Sequence, residues 1–153
     1  MVEIGDAGGL IVSALLISVS LTIQAAVLTW MQQTLAQAEP WIERHTNFWP
    51  QMLVMNLVVY TVALNHLLQM AVWALVYWKY AGLPSFGTAF YHSALQMTTM
   101  DNGAGTLPND WLMVAAAQGL TGWIMFSWST SALFAAVSAL ISMRRKHLAA
   151  HRH

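Results

Sequence analysis

Three stretches of the chain run without a single Asp, Glu, Lys or Arg: Gly8 to Met31, Met52 to Trp78 and Trp111 to Met143. A bilayer's hydrocarbon core is about 30 Å thick, so roughly 20 helical residues cross it. Each stretch is long enough. Helices apolar all round at this length are unusual in a soluble core. Three of them in so short a chain predict an all-α membrane protein. The third run, 33 residues or about 50 Å at 1.5 Å per residue, outruns the hydrocarbon and is expected to tilt or to emerge from it.

The pattern changes between the second and third runs. After the breaker Leu83-Pro84-Ser85, the segment Phe86 to Thr99 is apolar enough to enter a bilayer and too short to span it. Ser85 is its expected N-cap, and three or four helical turns follow. Met100 to Pro108 abandons helix, with Gly103, Gly105 and Pro108, and Asn109 or Asp110 stands where the third span needs a cap. A half-helix, then irregular backbone, then a return to the same side reads as a re-entrant loop. A short surface helix in an external loop is the alternative. Non-helical backbone at membrane depth survives only inside protein or against water. One small chain cannot enclose a pathway, whereas four copies around an axis line one, so a homotetramer is expected. The C-terminal end of each half-helix would then turn its partial negative charge toward the axis, where it favours a cation.

The expected organisation is therefore a peripheral first span (1–36), touching lipid or a neighbouring subunit, and a loop at 37–51 with Pro40 and Pro50 as breakers. A pore module at 52–143 follows, made of outer helix 52–80, pore helix and loop 86–106, and inner helix 110–143. A basic tail, 144–153, closes the chain. Trp41, Phe48 and Trp49 in the first loop, with Trp30, Trp73, Tyr77, Trp78, Tyr80 and Trp111, read as interfacial anchors.

Composition narrows the function. Apolar residues are 58% of the chain and charged residues 8%, with no net charge, so there is no basic footprint for nucleic acid. The absence of cysteine removes disulfides, thiolate nucleophiles and thiolate metal sites. No nucleophile–base pair, phosphate loop or metal-ligand cluster is present, so no enzyme activity, cofactor or metal is expected. Ala36-Gln37-Ala38 resembles a signal-peptidase site, but the N-terminus carries two acids and no base, and the apolar run exceeds a signal core. The first run is therefore read as a retained span. Five of the six basic residues (Arg44, Arg144, Arg145, Lys146 and Arg152) fall on one side of a three-span topology. That side is cytoplasmic by the positive-inside rule, which puts Met1 and the segment after Lys79 outside.

From about His66 to Val137 the chain resembles the bacterial two-helix, one-pore-loop ion channels of the potassium-channel superfamily. His66-Leu67-Leu68-Gln69 with Trp73-Ala74 is similar to that family's outer helix. Phe90-Tyr91-His92-Ser93 and the Thr98-Thr99 pair resemble its pore helix. Trp128-Ser129-Thr130-Ser131-Ala132-Leu133-Phe134-Ala135, within Gly122 to Ala136, resembles its inner helix and is the most specific stretch. The resemblance implies a tetrameric pore module in a bacterial inner membrane, with the bilayer, small cations and other copies of itself as partners. In the family the double Thr leads into Gly-Tyr-Gly-Asp, whose carbonyls replace the hydration shell of potassium. Here that place reads Met100-Asp101-Asn102-Gly103, and Gln69 and Gln118 stand where the family often has acids. Potassium selectivity is therefore not carried over.

The filter-like residues each have two readings. Asp101 forms a carboxylate ring in a tetramer or caps an external turn. Asn102 coordinates through its amide oxygen or supplies the turn. Of Thr98 and Thr99, one is expected to face the pore while the other holds backbone. Met100 is an apolar constriction or packing. Gly122, Phe126, Thr130, Phe134 and Val137 form a stripe along the inner helix, either pore-facing, with Phe126 or Phe134 as gate, or ordinary core. Gly119 and Gly122 also suit close helix contact. Gln69 and Gln118 are expected support behind the filter, and Gln118 should hydrogen-bond a neighbouring helix or the loop. A non-conducting scaffold is the second reading of the whole. The third, a haem-binding anchor, would use His66 and His92.

Overall fold

The computed structural model describes residues 5–44, 48–100 and 107–150. Four α-helices account for nearly all of them: α1 Asp6–Arg44, α2 Phe48–Tyr80, α3 Phe86–Met97 and α4 Leu112–Ala150. A 3-10 turn, Asn109–Trp111, precedes α4. Helices α1, α2 and α4 are long and apolar enough to cross a membrane, and the 12-residue α3 is not.

Helix runs further than the breakers predicted. The loop expected over 37–51 is helical at both ends, because α1 continues through Pro40 to Arg44 and α2 starts at Phe48. Pro50 falls in the first turn of α2, where its missing N–H has no intrahelical partner in any case. Pro40 removes a bond inside α1, but the turn beyond it is held by Ile42, buried against Leu140 with Leu35, Ala38 and Val54 around them. The tail expected from residue 144 is likewise helix as far as Ala150. Arg, Lys, Leu and Ala, which dominate that stretch, are strong helix formers. Asn109 and Asp110 lie within the 3-10 turn, whose N-cap position is Pro108 without a side-chain cap bond.

The chain divides into two compact units, and α1, α2 and α4 each pass through both. The first unit takes 1–24 and 66–126. Its core is aromatic: Trp73, Tyr77 and Trp111 are fully buried with Ala74, Ala89 and Val114 between them. Tyr77 meets Trp111 edge-on at 6.2 Å and Trp73 at 6.4 Å. These three are therefore core residues rather than interfacial anchors, while Trp30, Trp78 and Tyr80 are exposed as anchors require. The second unit takes 25–65 and 127–153. Its core is aliphatic, with Leu28, Met31, Val58, Val62, Ala132 and Ala136 in one cluster.

Polarity in the first unit is inverted relative to a soluble protein. The buried face of α1 carries Ser13, Ser20 and Gln24, and that of α2 carries His66 and Gln69. Outward lie Leu10, Ile11, Leu15, Leu67, Leu120 and Trp123, each about half exposed or more. With lipid as the surroundings, apolar side chains gain nothing by hiding, whereas polar ones must find partners inside.

Candidate functional site

The short helix α3 is built by its ends. Ser85, extended at φ −148°, accepts the Thr88 amide through its hydroxyl at 3.1 Å, as the sequence predicts. At the other end the backbone closes on itself. The Thr99 amide donates to the Gln96 carbonyl at 3.0 Å and the Met100 amide to the Leu95 carbonyl at 2.9 Å. These two bonds are the Schellman pattern, which needs a left-handed residue at the position Thr99 fills, and Thr99 has φ +57°. Glycine usually stands there. A β-branched residue in this conformation stores strain of order 1–3 kcal/mol.

Both threonine hydroxyls are used locally. Thr98 Oγ1 donates to the Ala94 carbonyl at 2.7 Å, and Thr99 Oγ1 donates to the Thr98 carbonyl at 2.7 Å. Thr98, Thr99 and Met100 are nonetheless exposed, Met100 by 74%. Up to Met100 the chain turns back on α3 and begins no extended carbonyl ladder. Asp101, Asn102 and Gly103 lie outside the described residues.

Behind α3 runs a continuous polar network. Gln118 Nε2 donates to the Ser93 hydroxyl at 2.6 Å and to the Ser93 carbonyl at 3.1 Å, while its Oε1 accepts from the Tyr77 hydroxyl at 2.8 Å. Ser93 in turn donates to the Met70 carbonyl at 2.8 Å. One residue of α4 thus ties α3 to α2, and all three side chains are buried. Gln69 does different work. Its Nε2 donates to Gln24 Oε1 at 2.8 Å, and one turn on Trp73 Nε1 donates to Ser20 Oγ at 2.9 Å, so both bonds bind α1 to α2. The first long helix is thus hydrogen-bonded to the chain's own second helix.

Gly122 sits under α3. A Cβ there would collide with the Met97 carbonyl oxygen, so only glycine lets the end of α3 rest on α4. Of its two expected roles, Gly122 fills the close-contact one, and being buried it drops out of the stripe. Phe126, Thr130 and Phe134 are exposed and Val137 half-buried, so these four still present a surface along α4. Phe126 carries the His66 ring against it, centroids 4.5 Å apart. His92 is buried on α3 with its ring 5.5 Å from Tyr77.

Ser20 and Gln24 were not singled out from sequence, Tyr77 was read as an anchor, and Ser93 entered only within the pore-helix resemblance. For α1 a signal was present: Ser13, Ser20 and Gln24 recur at helical spacing in the uncharged run, although Ser18 and Thr22, which are exposed, stand among them. Comparison with protein-family models, with curated proteins and with solved structures finds no match for the chain.

Proposed function

We propose that the chain is the subunit of a homotetrameric, channel-like membrane protein that passes small cations with altered or weak selectivity. The observation that carries the reading is α3 itself. It is too short to span, its polar back is fixed to α2 and α4 through Ser93, Gln118 and Tyr77, and its C-terminal end stays exposed. In the reading, α3 is a re-entrant pore helix, and its carbonyl end supplies partial negative charge to a cation on the axis. The loop from Met100 onward replaces the potassium filter, with Asp101 as a carboxylate ring and Asn102 beside it. The exposed stripe Phe126, Thr130, Phe134 and Val137 lines the inner cavity or the contact with a neighbouring subunit. Arg44 and the basic end of α4 face the cytoplasm, and Met1 and the α3 loop face outward. No enzyme chemistry is involved.

A second reading, a tetrameric scaffold that no longer conducts, draws on the closure at Thr99 and Met100, which turns the chain back where the family's filter would start. Purified protein in liposomes separates the two. A tetramer by cross-linking, with cation-driven flux, is the expected result. An intact tetramer without flux refutes conduction and leaves the scaffold.

A further inference from the structure

His66 lies in the middle of α2, only 7% exposed, and neither of its ring nitrogens has a hydrogen-bond partner. A neutral imidazole always presents one donor and one acceptor. Leaving such groups buried without partners is costly, and a bilayer interior offers no water to relieve them. The Phe126 ring, tilted against it with centroids 4.5 Å apart, satisfies neither nitrogen.

One turn along the same helix is Met70, and next to Phe126 in the chain is Met125. These two methionines and Met97 of α3 form one buried cluster, with Met97 and Met125 completely inaccessible. Methionines from three helices therefore pack together, and one of them, Met70, stands one turn of α2 from an unpartnered imidazole. Methionine is an ordinary filler of apolar gaps, but filling a gap does not account for the unpartnered imidazole one turn away on α2.

We propose that His66, Met70, Met97 and Met125 form a buried site for a soft monovalent metal ion of the Cu(I) or Ag(I) class. Thioether sulfur selects soft ions and imidazole suits copper, whereas hard cations such as calcium or magnesium need oxygen ligands that the cluster lacks. All four ligands are neutral, so a single positive charge is the least costly ion to bury among them. No group of three His, Cys, Asp or Glu occurs among the described residues, so a zinc-type cluster is not what the site offers. The site lies within one chain and stands whether or not the protein conducts.

The test is a Cu(I) titration of the intact detergent-solubilised protein, anaerobically and against a colorimetric Cu(I) chelator, with X-ray absorption at the copper edge. One ion per chain is expected, with sulfur and nitrogen in its shell. His66→Leu is expected to weaken binding at least tenfold, and the Met70→Leu, Met97→Leu, Met125→Leu triple variant to abolish it. The basic His-containing tail is retained in every variant, so the difference reads the buried site. Leucine conserves methionine's volume, and unchanged helical circular dichroism verifies folding. Equal copper in the wild type and a folded triple variant overturns the proposal. So does a copper shell without sulfur in the wild type, a result that needs no variant to fold.

Discussion

Replacing Gln118 with leucine removes the acceptor of the Tyr77 hydroxyl and the donor to both oxygens of Ser93 in one step. Leucine fills similar space, so the change is chiefly one of hydrogen bonding. Interhelical hydrogen bonds in membrane proteins average about 0.6 kcal/mol and reach about 1.7. Three bonds at the average give about 2 kcal/mol of lost stability. Ser93 keeps its donation to the Met70 carbonyl, so the loss falls mainly on the hold of α4 over α3 and on Tyr77. The assay is unfolding in mixed micelles, run as a double-mutant cycle with Tyr77→Phe. The two single losses should exceed the double loss by about 0.6–1.7 kcal/mol. Additivity within about 0.3 kcal/mol would show that Tyr77 and Gln118 do not interact and would refute the network as the tie between α2 and α4.

The two glycines of α4 near α3 should behave oppositely. Gly122→Ala puts a methyl group into the Met97 carbonyl and is expected to cost at least about 1–3 kcal/mol by thermal melting. Gly119→Ala meets the Gln96 carbonyl at 3.5 Å and the Thr99 methyl at 3.9 Å, both ordinary contacts, and is expected to be neutral or to stabilise by up to about 1 kcal/mol. Ser85→Ala removes the N-cap of α3 and should cost about 1 kcal/mol in the same assay, whereas Ser85→Asp, which can still accept, should be close to wild type. Gln24→Leu leaves Gln69 Nε2 without its acceptor and should loosen α1, read as faster proteolysis or hydrogen exchange in its first half. Asp101→Asn should lower the preference for cations over anions, and an unchanged reversal potential would refute the carboxylate ring.

Much of the fold could be read from the chain because lipid imposes a simple rule. Spans must be long and uncharged, and the three runs that end at Met31, Trp78 and Met143 show this directly. The extent of α3 was readable too, since Ser85 is a strong cap and the helix stops at Met97, just short of Thr98 and Thr99. What misled was local punctuation. Pro40 looks like a stop, yet α1 passes through it, because burial of Ile42 two residues later outweighs the preference against proline. Trp73, Tyr77 and Trp111 look like interfacial anchors because composition does not say which side of a helix faces lipid. That depends on partners distant in sequence, such as Ser20 for Trp73 and Gln118 for Tyr77. The candidate site was half legible. The need of Gln118 for a partner follows from one intramembrane amide, but the left-handed turn at Thr99 does not, since no glycine marks it.

Conduction is the claim that matters most, and a planar-bilayer recording of the purified protein under a potassium chloride gradient tests it most directly. A conducting tetramer gives currents whose reversal potential lies on the cation side of zero and moves toward zero in Asp101→Asn. A silent bilayer from protein verified as an intact tetramer, or a reversal potential on the anion side, would contradict it.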